Sequence, residues 1–261
     1  MSLVAALTNL LYPPACLLCD TPTALERTVC SRCIRTLPAT LEPVCRRCGV
    51  ELRGAFDAVM DCAACRKAPR AFGLARAPWR YDGAARMAVR RFKYARRWRL
   101  GRWLAGGMAQ AARASLPLEE ISAIVPVPLH WLKRRLAGWN PSEELARAVS
   151  QRLGKPCLPQ ALARTRWTAT QTRLSWRERS RNVQGAFTAF PAAVGDRAVL
   201  LVDDVLTSGA TAEACALALK RAGARAVYVL TAARTPLEAG GWRLEASTVV
   251  SSLEPRASSR S

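Results

Sequence analysis

Four C-x-x-C pairs crowd into the first 65 residues: CLLC (Cys16, Cys19), CSRC (Cys30, Cys33), CRRC (Cys45, Cys48) and CAAC (Cys62, Cys65). A C-x-x-C turn lets two thiolates converge on one metal ion, and two such turns complete a tetrahedron. Ten residues separate the first two pairs and thirteen the last two, so sequential pairing predicts two zinc ribbons with four thiolate ligands each. A crossed pairing would use the same residues. All-thiolate sites leave no open position for water, so these two zincs are expected to be structural. Disulfides would require an oxidising compartment. A thioredoxin-like site would need one C-x-x-C in a βαβ setting, not four in series. Of the other two cysteines, Cys215 falls within a helical pattern and reads as an ordinary packed thiol.

The opening MSLVAALTNLLYPPAC is apolar but has no charged n-region and no small-residue cleavage site, and reads as a short helix. No apolar run reaches the roughly 18 to 20 residues of a membrane span. The expected location is cytoplasmic.

After Pro69 the cysteine pattern gives way to alternating helices and strands. The expected layout is a double zinc ribbon over 1–68, an α/β domain over 69–250 and a frayed tail over 251–261. Residues 81–114 read as two helices with a break near 96–100, and Trp98 and Trp103 are assigned to the core. Residues 121–129 (ISAIVPVPL) form a buried strand ended by prolines, and a helix begins at Pro141 with Glu143 and Glu144 in its first turn. Residues 163–187 are polar, basic and aperiodic, a working loop or a disordered one. A strand then ends in the acidic motif below, a helix covers about 212–221, and a further strand covers 226–231. Apolar strands joined through helices predict a parallel sheet.

The acidic motif is LLVDDVLTSGAT, residues 200–211. An apolar strand ends in Asp203 and Asp204 and opens into Thr207, Ser208, Gly209, Ala210 and Thr211. Paired acids are costly to bury, so they are expected to face a crevice. Ligands of parallel α/β sheets sit beyond the carboxyl ends of the strands. Free N–H groups before a helix bind phosphate, and neighbouring carboxylates accept hydrogen bonds from vicinal hydroxyls. A phosphorylated sugar fits both. With a single histidine, His130, and no G-x-x-x-x-G-K-[ST], the chain offers neither a histidine-based hydrolase nor a P-loop motor.

Charge points to polyanions. Forty basic residues face nineteen acidic ones, a net charge of +21. Between Arg66 and Arg102 there are thirteen Lys or Arg and one acid, Asp82. Lys93, Arg96, Arg97 and Arg99, interleaved with Tyr94 and Trp98, offer phosphate contacts beside rings on which bases stack. The competing reading is a solvated basic helix with its aromatics turned inward.

With the ribbon cysteines, VPVPL, RTRWTATQTRLSWRERSRNVQGAF and LLVDDVLTSGAT in this order, the chain resembles the ComF family of phosphoribosyltransferase-like proteins over nearly its whole length. The resemblance implies a type I phosphoribosyltransferase-like parallel α/β sheet behind the zinc-ribbon module. It implies that Asp203 and Asp204 hold ribose hydroxyls of phosphoribosyl pyrophosphate (PRPP), that Thr207, Ser208, Gly209, Ala210 and Thr211 wrap the 5′-phosphate, and that the turn with Val127 and Pro128 lies by the pyrophosphate and its Mg²⁺. Where the family has Arg-Gly-Phe-Asn-Gln, this chain has Ala137-Gly138-Trp139-Asn140-Pro141, leaving Lys133, Arg134 and Arg135 as nearby cations. The role implied is in DNA uptake during natural competence, or use of DNA as a nutrient. Single-stranded DNA, a helicase-like protein and recombination proteins would then be partners. The alternative is an active phosphoribosyltransferase that passes ribose 5-phosphate to an unidentified base-like acceptor.

Overall fold

The computed structural model describes residues 14–24, 27–52, 60–95, 97–166 and 182–236. The expected N-terminal helix, the tail and most of the loop at 163–187 lie outside them. Two five-residue helices, α1 (Ser31–Arg35) and α2 (Ala63–Lys67), start directly after Cys30 and Cys62, their N-cap residues. There follow β1 (Ala75–Arg76), β2 (Trp79–Arg80), α3 (Gly83–Ala95), α4 (Trp98–Ser115), β3 (Ile121–Pro126), α5 (Trp131–Ala137) and α6 (Pro141–Leu153). The chain continues through β4 (Leu162–Arg164), β5 (Phe187–Ala189), α7 (Pro191–Val194), β6 (Ala198–Leu206), α8 (Ala210–Arg221) and β7 (Ala226–Arg234). Several bounds move from the sequence reading: the strand with the acidic pair runs on to Leu206 and the last strand to Arg234. Helix α8 begins at Ala210, because Gly209 adopts φ +79° and turns the chain straight into it. Strand β3 stops at Pro126, leaving 127–129 as a turn.

The main sheet is parallel throughout, in the order β1–β7–β6–β3, with β2 continuing the β1 edge along β7. The parallel α/β class expected from the alternation is the one observed. Strand β6 carries five consecutive buried apolar residues, Ala198 to Val202, as a strand covered on both faces should.

Alternation along the strands sends side chains to two separate cores. On one face Val125, Leu201 and Val229 pack with Ala212, Cys215 and Leu219 of α8, and this core includes Cys45, Cys48, Cys62 and Cys65. On the other, Ile124, Leu200 and Leu230 pack with Phe92, Leu104, Met108 and Leu145 of α3, α4 and α6, and this core includes Cys16 and Cys33. The two ribbons therefore cap opposite faces of one sheet.

The second ribbon is also joined to the sheet edge. Ala75 N donates to Arg47 O at 2.7 Å. Gly49, at φ +64°, runs so close to β1 that a Cβ there would lie 2.4 Å from Ala75 O. Glycine is the residue that meets both demands.

Candidate ribose-phosphate site and paired metal centres

The eight ribbon cysteines form two groups, paired in sequence order: Cys16, Cys19, Cys30 and Cys33, then Cys45, Cys48, Cys62 and Cys65. Within each group the sulfurs lie within 4.8 Å of one another. Cys19 Sγ to Cys30 Sγ and Cys48 Sγ to Cys62 Sγ are both 3.7 Å. A tetrahedron with Zn–S bonds of about 2.3 Å has edges of about 3.8 Å, so zinc fits.

The first cysteine of each group accepts two backbone N–H groups. Leu18 and Cys30 donate to Cys16 at 3.4 and 3.3 Å, and Cys48 and Cys62 donate to Cys45 at 3.4 and 3.2 Å. Hydrogen bonding with Cys45 drives the Cys48 thiol far below its ordinary value and the Cys65 thiol far above it. Four thiols this close ionise together only around a dication. Both groups are structural zinc sites, as the spacing predicted.

The acidic motif lies at the carboxyl end of β6, beside the turn that follows β3. Four observations define its geometry. Ser142 Oγ, in the first turn of α6, donates to Asp203 Oδ1 at 2.7 Å. Asp204 N donates to the same oxygen at 2.9 Å. Lys93 Nζ, from α3, lies 2.5 Å from Asp204 Oδ2. Asn140, the N-cap of α6, accepts from Ser142 N at 3.1 Å and donates to Val127 O at 3.0 Å. Val127 N in turn donates to Val202 O at 2.9 Å. Both backbone groups of Val127 thus hold the turn in place, with Pro128 following it.

Ser208 Oγ accepts from Ala210 N at 3.3 Å, a local turn that feeds the start of α8. Thr207 and Thr211 flank it, half exposed. The carboxylates of β6 are thus followed directly by the hydroxyl-bearing loop and the N-terminus of a twelve-residue helix, and Asp204 and Ser208 are buried.

Burial and the neighbouring charge of Asp204 push Asp203 up to about 7, against the pull of Lys93 and Ser142. Burial opposes the Lys93 charge, but Asp204 more than offsets it and holds the ammonium above its ordinary value. A raised acid costs stability as pH climbs from its unfolded value near about 4, and the full cost is present above about 7. Asp203→Asn, whose Oδ1 still accepts from Ser142, is expected to stabilise the ligand-free protein by about 1–2 kcal/mol at pH 8. The gain should fade towards about pH 4. Urea denaturation at both pH values measures it, and equal gains would remove burial of charge as the cause.

The basic stretch divides. Lys93 joins the carboxylates rather than the outer surface. Arg97, with Arg91, pairs with Asp20 of the first ribbon, at 3.2 and 2.8 Å. Arg99 is exposed, and Arg96 lies outside the described residues. Trp103 stacks on Trp79 with ring centroids 5.3 Å apart, as a core assignment requires. Trp98 corrects that assignment: it is 74% exposed, and Tyr94 is 77% exposed. The cause is helical phase, since Trp98 shares the solvent face of α4 with Arg102, opposite Leu100 and Leu104.

Among the cations near Ala137, Arg134 is drawn into a pair with Glu143 at 3.3 Å. Lys133 is pushed down by burial and by the charge of Arg164, whose strand residue bridges His130. Trp139 meets Phe92 edge-on, with ring centroids 5.3 Å apart.

The sequence reading missed Ser142, Arg164 and Arg234. Only Arg234 carried a signal, as a lone charge ending the otherwise uncharged strand AVYVLTAAR.

Residues 7–68 match a family model described as a double zinc ribbon domain. The DNA utilization protein YhgH of Salmonella typhimurium is 32% identical over 87% of this chain and 99% of its own length. Competence protein F of Haemophilus influenzae is 28% identical over 79% of this chain and 90% of its own length. Among solved structures, the allosteric regulatory enzyme of purine biosynthesis is similar over 51% of this chain and 25% of that chain, at 24% identity and a TM-score of 0.35. Among the described residues no helix is long and apolar enough to cross a membrane.

Proposed function

The chain belongs to the ComF family of double-zinc-ribbon DNA utilization and competence proteins, and on that premise we propose that it binds a phosphorylated ribose and handles single-stranded DNA during uptake or use of DNA. The ligand is PRPP or the 5′-phosphate end of a nucleotide. The observation that carries this reading is the convergence of Asp203, Asp204 and the 207–211 loop at the N-terminus of α8. The carboxylates accept the vicinal ribose hydroxyls, and the loop hydroxyls and helix amides take the phosphate. Lys133 and Arg164 supply positive charge on the side of the 127–129 turn, where the pyrophosphate would lie.

The oxygen donors of Asp203 and Asp204 also suit Mg²⁺, which would neutralise pyrophosphate when bound with PRPP. Transfer of ribose 5-phosphate to a base-like acceptor is the second reading. What favours it is the pair of adjacent, largely buried carboxylates, which would stabilise positive charge developing on the sugar. Pyrophosphate release in the presence of candidate bases separates transfer from binding alone.

Calorimetric titration of PRPP with Mg²⁺ into the zinc-loaded protein tests the pocket, and absence of binding would retire this reading. Single-stranded DNA is expected to meet Tyr94 and Trp98, the exposed rings of the α3–α4 turn, with Arg99 beside them. Tyr94→Ala and Trp98→Ala should each weaken binding of a single-stranded oligonucleotide about tenfold. That binding should weaken steeply with salt, while Mg²⁺-dependent PRPP binding should weaken far less. Unchanged DNA affinity in both variants would place the DNA elsewhere.

A further inference from the structure

Arg234 ends β7 and is only 7% exposed. Its guanidinium reaches in two directions. Towards the second ribbon, Nε donates to Cys48 O at 3.2 Å and an Nη lies 3.8 Å from Cys48 Sγ. Towards the phosphate loop, the other Nη donates to Leu206 O at 2.9 Å, Thr207 O at 2.6 Å and Thr235 O at 2.9 Å.

The ribbon makes two further ties to the same region. Arg70, five residues after Cys65, donates to Ser208 O at 3.5 Å, and Ala71 N donates to the Glu213 carboxylate in the first turn of α8 at 3.0 and 3.1 Å. In a planar trans peptide the N–H points opposite to the preceding C=O. With the carbonyls of Leu206, Thr207 and Ser208 held by arginines on the ribbon side, the N–H groups of Thr207, Ser208 and Gly209 are aimed the opposite way. A zinc ion with four thiolates carries two net negative charges, which compensate a buried guanidinium beside Cys48. Among the described residues the first ribbon has no such tie. Its backbone bonds to arginine run from Leu17 O to Arg91 and Arg97, each at 3.1 Å, on the other face of the sheet.

We propose that Arg234 is a positioning residue that couples the second zinc centre to the phosphate loop, so that metal bound at Cys45, Cys48, Cys62 and Cys65 holds the loop for its ligand, and ligand in the loop holds the metal. The coupling rests on the ribose-phosphate reading for its ligand arm only. Linkage makes it reciprocal.

The experiment uses the full zinc-loaded chain and follows two quantities. One is release of each zinc to a colorimetric chelator; the other is hydrogen exchange of the 203–213 segment by mass spectrometry. Arg234→Met should release one of the two zincs about tenfold faster than the parent, leave the other unchanged, and raise exchange in 203–213 by a similar factor. Arg234→Lys, which keeps the charge but cannot span both partners, should behave the same way and covers the case in which the methionine variant does not fold.

In the parent, PRPP with Mg²⁺ should slow release of one zinc, and in the lysine variant it should not. Unchanged zinc release and loop exchange in a variant that binds two zincs would overturn the coupling. So would PRPP that demonstrably binds the parent without slowing release. Failure of PRPP to bind at all would strike the ribose-phosphate reading, while the ligand-free arms would still decide the coupling.

Discussion

Asp203→Asn combined with Asp204→Asn is expected to weaken PRPP binding by at least about 100-fold, since each charge-assisted hydrogen bond to a ribose hydroxyl contributes roughly 1.5–3 kcal/mol. The pair of substitutions is nearly isosteric. Asn at 203 can still accept from Ser142 Oγ and from the backbone of residue 204, so the end of β6 keeps its geometry. What changes is charge. Lys93 loses its carboxylate at 2.5 Å, and the pocket turns from anionic to cationic. That change separates two explanations of any binding. If the pocket merely attracted polyanions, removing two acids would strengthen PRPP binding; if the carboxylates hold the diol, it collapses. Calorimetry on parent and double variant decides, with zinc content measured alongside to show that the ribbons remain loaded.

The parts of this molecule that rest on short-range pattern were legible in its sequence. Each C-x-x-C sets its own turn, and the short spacers made sequential pairing the simplest arrangement. The apolar run 198–202 declared a doubly covered strand, and the glycine after the acids declared the turn into the next helix. Long-range relations were not legible. No local signal says that the two ribbons cap opposite faces of the sheet, because that depends on which edge each loop reaches. Lys93 read as part of a basic stripe, since its partner Asp204 lies 111 residues away. Ser142 stands in the first turn of α6, and no local signal says that its hydroxyl reaches Asp203, 61 residues further along the chain. Trp98 was misassigned for a different reason: a hydrophobic residue type outweighed helical phase, which placed it on the side of Arg102.

Loss of zinc is expected to have the largest effect on the folded state, and an unequal one at the two centres. Structural zinc binding contributes on the order of 10–16 kcal/mol in zinc-finger peptides, comparable to the whole stability of roughly 5–15 kcal/mol of an ordinary domain. All four cysteines of the second group are buried and continuous with the core beneath α8. In the first group Cys19 is exposed and Cys30 half-buried, so solvent can reach that metal edge. A chelator should therefore take the first zinc before the second.

Cys19→Ser should yield a folded protein with one zinc per chain. Cys48→Ser should lose the second metal, deprive Arg234 of the thiolate at 3.8 Å, and expose the α8 face, giving a chain that fails to unfold cooperatively. Thermal melts with zinc content measured on each variant compare the two. Equal losses would mean that both ribbons brace the sheet alike and that burial of the second group adds nothing; the expected order would make the second centre the one on which the phosphate loop depends.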